Sequence, residues 1–212
     1  MTSTFHAIEL TATANNWRLF VLRKIDAAFS DFQEKIHARD NFTCQFCGFQ
    51  AKKFMEIINL DGNYLKNNKS NLTTACGMCA QCFFLEAVGK SDFGGGVLIY
   101  LPEMSQAELN ALCHVLFALQ IYRLKDADDA ASIYRSLKLR AQIVEEQIGE
   151  GMSNPSLFGQ MLIDSEIKMA SQFKNTVSKS IRLLPNLSRF GMEITQWADA
   201  GLNALDDQEK NQ

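Results

Sequence analysis

Six cysteines carry most of the chemistry this chain can do: Cys44, Cys47, Cys76, Cys79, Cys82 and Cys113. Cys44-Gln45-Phe46-Cys47 and Cys76-Gly77-Met78-Cys79 are both C-x-x-C pairs. That spacing lets two thiolates reach one tetrahedral ion, each about 2.3 Å from the metal. Gly48 follows the first pair and Gly77 lies inside the second, relieving the backbone where it must turn around sulfur. Two such knuckles in one short region predict a structural zinc site, one ion per chain, with Cys44, Cys47, Cys76 and Cys79 as ligands. Four sulfurs close the coordination shell and leave no position for water, so this zinc is structural and not catalytic. Two other readings compete: small buried apolar residues, and a redox pair of the thioredoxin kind. The latter needs one pair in a βαβ setting, which the surrounding sequence lacks. Cys82 extends the second knuckle to C-x-x-C-x-x-C. It is a candidate alternate ligand, a neighbouring thiol, or the spare thiol of a zinc-dependent redox switch. Cys113 lies in an apolar helical stretch and reads as core.

The elements that must position these sulfurs follow from periodicity and turn chemistry. Phe29, Phe32 and Ile36 recur at helical spacing, so Asp31 to Arg39 reads as a short helix. Trp17 to Leu22 fits either strand or helix. Phe54 to Leu60, with β-branched Ile57 and Ile58, reads as a strand, and Asp61-Gly62-Asn63 as a turn. Asn67 to Asn71 is loop, Leu72 to Ala75 leads into the second knuckle, and Cys79 to Val88 reads as a helix. Gly94-Gly95-Gly96 lacks the continuation of a Walker or dinucleotide loop and reads as a flexible turn into a strand at Val97 to Leu101. The rest is helical. Ser105-Gln106-Ala107-Glu108 is a capping box ahead of inward Leu109, Leu112, Leu116 and Leu119. Asp126 to Asp129 caps a helix running through Ile133, Leu137, Ile143 and Val144. Pro155 opens a third. A fourth covers Glu166 to Leu184, and a fifth runs from Asn186 or Ser188 to about Leu205, before a frayed polar tail, Asp206 to Gln212. No internal repeat or low-complexity tract is found.

Composition narrows the function classes. The 212 residues are 47% apolar and 21% charged, with 3 prolines, which suits a packed core and not a disordered chain. The net charge of −3 argues against a dedicated nucleic-acid binder, whose affinity rests on neutralising phosphates. No apolar run approaches the roughly 18 residues of a membrane-spanning helix. The N-terminus lacks a basic region followed by an apolar one, so the expected location is the cytoplasm, without membrane insertion.

The run Arg39-Asp40-Asn41-Phe42-Thr43-Cys44-Gln45-Phe46-Cys47-Gly48 resembles the entry to an HNH endonuclease motif. The likeness continues through Met55 to Asn63 and through Asn71-Leu72-Thr73-Thr74-Ala75-Cys76-Gly77-Met78-Cys79-Ala80. The resemblance implies a β-hairpin followed by a helix. HNH chemistry needs a histidine base and an open metal site at the phosphate. In this alignment the adjacent histidines fall at Ile58 and Asn59, and the final one at Ala80. None is an imidazole, and only Asn71, the middle letter, remains. The histidines present, His6, His37 and His114, lie outside the motif. From Asp40 to Lys90 five lysines face four carboxylates, too small an excess for a phosphate-binding face. The expectation is a degenerate HNH-like scaffold and no enzyme. The alternative is a divergent HNH nuclease or a nucleic-acid-binding zinc protein.

The whole chain resembles the IcmJ (DotN) family of the Dot/Icm type IVB secretion system. The Arg39 to Gln50 run, the replaced histidines, the block Gly94 to Asn110, the length and the helical second half all carry the likeness. The resemblance implies a zinc-bearing, non-catalytic adaptor of the coupling complex. Such a subunit binds the C-terminal extension of the DotL coupling ATPase and is associated indirectly with DotM and the IcmS–IcmW chaperones. No nucleic acid is expected. Recruitment would be to the inner face of the bacterial inner membrane. The expected fold class is α+β, mostly helical. A small HNH-like (treble-clef, ββα) zinc-knuckle module, about residues 40–86, packs with a helical C-terminal half. The regions are 1–102 and 103–212, forming one compact unit. Trp17, Phe49, Phe54, Phe173, Phe190 and Trp197 are candidate partner contacts, although aromatics are also core formers. Asp126, Asp128 and Asp129 read as a solvated helix start, with a basic partner as the lesser reading.

Overall fold

The computed structural model describes residues 5–164 and 179–210, with side chains given through Asp199. The chain is α+β, with two small antiparallel ribbons among mostly helical elements. Asn16–Lys24 forms helix α1, which settles the ambiguous Trp17 to Leu22 stretch, and turns Phe20 and Arg23 inward. Helix α2, Ala27–Arg39, begins a turn ahead of the expected Asp31, because the Asp26 carboxylate accepts the Ala28 N–H at 2.9 Å.

Strands β1 (Met55–Asn59) and β2 (Leu72–Cys76) form a hairpin in the register Met55 opposite Cys76 and Asn59 opposite Leu72. Asp61 organises its loop, accepting from Asn63 N and Asn71 Nδ2, each at 2.8 Å. Successive strand residues point to opposite faces. Ile57 and Leu72 therefore pack on Phe29 and Ile36 of α2, while Ile58 enters the main core.

The helix expected over Cys79 to Val88 is not continuous. One helical turn, α3 (Gly77–Ala80), is followed by two 3₁₀ turns, Gln81–Phe83 and Leu85–Ala87. Phe84 between them leaves helical geometry (φ −142°, ψ 54°) and puts its ring into the core, 4.6 Å from that of Phe20. Burial of that aromatic outweighs helical continuity.

The second ribbon pairs β3 (Gly96–Tyr100) with β4 (Ile181–Pro185). This corrects the helix expected over Glu166 to Leu184, since its last four residues are strand. Residues 165–178 lie outside the described residues. The ribbon is buried on both faces. Val97, Ile99 and Leu184 face the main core, and Leu98, Ile181 and Leu183 face a second. Ile181-Arg182-Leu183-Leu184 is too short and too unevenly apolar to show a period of two, so its pattern does not differ from that of a helix end. Gly94 and Gly95 lead into β3 as expected, with Gly96 its first residue, and glycine is required because Cβ atoms there would run into Gln81, Arg189 and the Leu184 carbonyl.

Helix α4 (Gln106–Ile121) opens on the expected capping box, with Leu109 and Leu116 buried and Leu112 and Leu119 half-buried. The helix expected from Asp126 divides at Arg140 into α5 (Ala127–Leu139) and α6 (Ala141–Ile148). The Arg140 carbonyl accepts from Tyr100 N, so the break ties the helices to β3. Asp126 caps through its backbone carbonyl, not its side chain. Helix α7 (Pro155–Asp164) starts at the expected proline, with Asn154 Oδ1 accepting from Ser156 N and Leu157 N. Helix α8 runs from Leu187 to Lys210, so Asp206–Lys210 of the expected frayed tail is helical. The main core gathers Phe46, Met78 and the knuckle sulfurs with Leu109, Phe117, Phe190 and Trp197.

Candidate metal centre

The first knuckle turns because the Gly48 N–H reaches back to the Cys44 carbonyl at 3.0 Å and Cys44 N bonds the Phe49 carbonyl at 2.8 Å. Gly48 has φ +79°, and a Cβ there would sit 3.0 Å from the Phe5 ring. Both the left-handed backbone and the close approach call for glycine. Gln45 N donates to the Thr74 carbonyl at 2.9 Å, which sets this knuckle over the end of β2. The second knuckle forms where strand becomes helix. Cys76 ends β2 with extended geometry (ψ 161°), and Cys79 follows on the single turn of α3, so both sulfurs point the same way.

The four sulfurs of Cys44, Cys47, Cys76 and Cys79 lie within 4.8 Å of one another and can hold a metal ion. Cys47 Sγ is 3.7 Å from Cys76 Sγ. Four ligands at about 2.3 Å in a tetrahedron stand roughly 3.8 Å apart, so the spacing fits a thiolate-bound ion of zinc's size. All four cysteines are free of disulfide bonding. Cys47 is half-buried beneath the N-terminal segment, where His6 N bonds the Gln45 carbonyl at 2.8 Å. The other three are buried. Burial and the neighbouring sulfurs push the Cys76 and Cys79 thiols well above their ordinary range. Burial also acts to raise Cys44, but hydrogen bonds from Cys47, Cys76 and Cys79 outweigh it and bring that thiol well below its ordinary range. All four sulfurs could be thiolates at this spacing only with a cation among them.

Cys82 does not join the cluster. Its sulfur is buried and donates to the Met78 carbonyl at 3.4 Å, and burial pushes its thiol up to about 12. Cys113 is core, as expected, and burial likewise raises it to about 12.

Helix α4 supplies an outer layer that the sequence analysis did not single out. Asn110 Nδ2 donates to Cys79 Sγ at 3.2 Å and to the Met78 carbonyl at 3.2 Å. His114 Nε2 lies 3.4 Å from Cys76 Sγ, and its ring stacks on Phe49 with centroids 3.9 Å apart and planes 3° from parallel. Burial holds His114 down at about 4. The available signal was a polar stripe: Gln106, Asn110 and His114 recur every fourth residue beside buried Leu109, Cys113 and Phe117.

The positions aligned with HNH histidines are all buried. Ile58 and Ala80 belong to the main core. Asn59 spends its carboxamide on structure: Nδ2 donates to the Asn63 and Lys66 carbonyls, each at 2.9 Å, and Oδ1 accepts from Arg23. Arg23 also bonds the Ile57 carbonyl and lies over the rings of Phe20, Phe29 and Tyr64. His37, also outside the cluster, pairs Nδ1 with Thr74 Oγ1 at 3.1 Å, and burial lowers its pKa. Of the candidate partner aromatics, Phe190 and Trp197 belong to the main core, and the half-buried Trp17, Phe49 and Phe54 pack against it. Trp197 Nε1 bonds the Lys53 carbonyl at 2.9 Å. Phe173 lies outside the described residues. No helix among the described residues is long and apolar enough to cross a membrane.

No protein-family profile matches the chain. The chain is 50% identical over 200 residues to the type 4 apparatus protein DotN of Legionella pneumophila (strain Philadelphia 1), covering 94% of this chain and 93% of that protein. Identity at that level over almost the full length of both proteins means that this chain belongs to the DotN (IcmJ) family of the Dot/Icm type IV secretion apparatus.

Proposed function

We propose that this protein is a non-catalytic, zinc-stabilised adaptor of a type IVB coupling complex, held at the inner face of the bacterial inner membrane. It binds the C-terminal extension of a DotL-like coupling ATPase, and through it meets a DotM-like subunit and IcmS/IcmW-like chaperones. The observation that carries this reading is the near-full-length identity to DotN, a type 4 apparatus protein. The order knuckle, hairpin, helical turn over residues 40–86 supports reading them as an HNH-like treble-clef module. Cys44, Cys47, Cys76 and Cys79 would hold one zinc. Such an ion adds rigidity to a small module and, with four sulfurs around it, offers no open position for a substrate. The non-catalytic reading draws support from Ile58, Asn59 and Ala80. None can act as a base at neutral pH, and all are committed to the core or to the Arg23 contact. Regions 1–102 and 103–212 act as one unit, since knuckle sulfurs and residues of α4 and α8 share one core.

The test is purification of the tagged chain from its native host, with mass spectrometry and metal analysis. About one zinc per chain together with a coupling ATPase and its chaperones supports the adaptor. Zinc with nucleic acid and no secretion component overturns it.

A further inference from the structure

We infer that Gln106 and Asn110 are positioning residues for the metal centre: they aim one N–H donor at the Cys79 sulfur and tie that ligand to the β3–β4 ribbon. The inference rests on the reading of the four sulfurs as a metal site.

Hydrogen-bond direction carries the argument. Gln106 and Asn110 are both buried in α4. The Gln106 carboxamide pairs with the backbone of Leu183 in β4, as a strand neighbour would. Its Oε1 accepts the Leu183 N–H at 2.7 Å, and its Nε2 donates to the Leu183 carbonyl at 2.8 Å. A backbone N–H can only donate and a carbonyl can only accept, so this pairing admits one orientation of the Gln106 side chain. The Nε2 then also donates to Asn110 Oδ1 at 2.9 Å. That contact fixes the second carboxamide in turn. The Asn110 oxygen faces Gln106, and its Nδ2 faces Cys79 Sγ at 3.2 Å and the Met78 carbonyl at 3.2 Å. A donor held against a sulfur by two successive buried bonds calls for an acceptor there, and a metal-bound thiolate is the stronger acceptor than a thiol. Cys82, 4.0 Å from the same nitrogen, already gives its own hydrogen to the Met78 carbonyl.

Outer partners of this kind orient a ligand and tune its donor strength. Removing the N–H leaves the Cys79 thiolate more electron-rich and less restrained.

The experiment compares the full-length protein with Asn110→Asp, Asn110→Leu and Gln106→Leu, and with Cys113→Ala as a control on the same helix. Zinc affinity is read by competition with a chromophoric chelator, and Co(II) replaces zinc for absorption spectra. The expected result is a loss of zinc affinity of roughly 10–100-fold in the Asn110 variants. Asn110→Asp, which sets a carboxylate against a thiolate, should lose most. The sulfur-to-cobalt charge-transfer band should move to lower energy in Asn110→Leu and Gln106→Leu and stay in place in Cys113→Ala. A general loss of packing would lower melting temperature in all variants without moving that band. Unchanged affinity and an unchanged band in the Asn110 variants overturn the inference. Failure of the wild-type chain to bind zinc or give a tetrahedral Co(II) spectrum overturns the metal reading itself.

Discussion

The Arg23 guanidinium donates to the Asn59 carboxamide oxygen, in the buried space where the HNH-like alignment would put a histidine. Burial lowers the Arg23 pKa to about 10, still charged at neutral pH, and Tyr64 and Glu56 offset part of that cost. Replacing Arg23 by alanine strands the Asn59 and Ile57 oxygens, at about 1–3 kcal/mol for each buried group left unpaired. A double-mutant cycle of Arg23→Ala and Asn59→Ala, followed by chemical denaturation, should show coupling of about 0.5–3 kcal/mol. Additive losses would mean that the two side chains do not act as a pair.

The cysteine variants should divide into two groups. Cys44→Ser and Cys79→Ser remove sulfurs from the cluster, and should lose metal, solubility and partner binding. Zinc binding of about 10–16 kcal/mol in small modules is as large as the whole stability of a typical domain. Cys82→Ala and Cys113→Ala, whose sulfurs lie outside it, should keep about one metal per chain and lose only part of their packing energy. Elemental analysis with thermal melting decides this. A wild-type melting temperature in Cys79→Ser would refute the structural role.

Glu86 should make the protein less stable as pH rises from about 4.5 to about 7. Both its carboxylate oxygens are shut from solvent, and burial pushes it up to about 7 from its ordinary 4.5, with its own backbone N–H and Lys90 offsetting only part of that shift. The folded state therefore holds this proton more tightly than the unfolded state does. The cost of ionising it is absent below about 4.5 and complete above about 7. Glu86→Gln should raise the denaturation midpoint at about pH 8 and leave it near wild type at about pH 5. Equal effects at both values would place the cause outside the titration of Glu86.

Gly159 in α7 should not accept alanine. In an exposed helix that change stabilises by roughly 1 kcal/mol. Here a Cβ would lie 2.7 Å from the Leu85 carbonyl carbon and closer still to Glu86 N, in backbone that cannot swing aside. Gly159→Ala should cost about 1–3 kcal/mol through overpacking of α7 against the Leu85–Ala87 turn. Thermal melting reads the sign directly, and a gain would show that the contact gives way.

Local patterns made the knuckle spacing, strand β1 and the turn after it, the capping box at Ser105 and the Pro155 helix start legible in the sequence; the pairing of β1 with β2 was implied only by the HNH-like resemblance. Each local pattern is written within a few residues, because a turn, a cap or a C-x-x-C pair is satisfied by its own neighbours. Relationships across long separations were not legible. Ile181 to Leu184 reads as the end of a helix until β3 provides a strand to pair with, because four residues with Arg182 among them show no clear period of their own. Cys82 has the same spacing to Cys79 as Cys79 has to Cys76, and only the turn into 3₁₀ geometry sends its sulfur away from the cluster. The outer layer of the sulfur cluster sits on α4, 31 and 38 residues further along the chain than the sulfurs it meets. Local sequence chemistry thus named the four sulfurs. Tertiary packing alone decided which donors face them, since buried polar groups must find partners wherever the fold brings them.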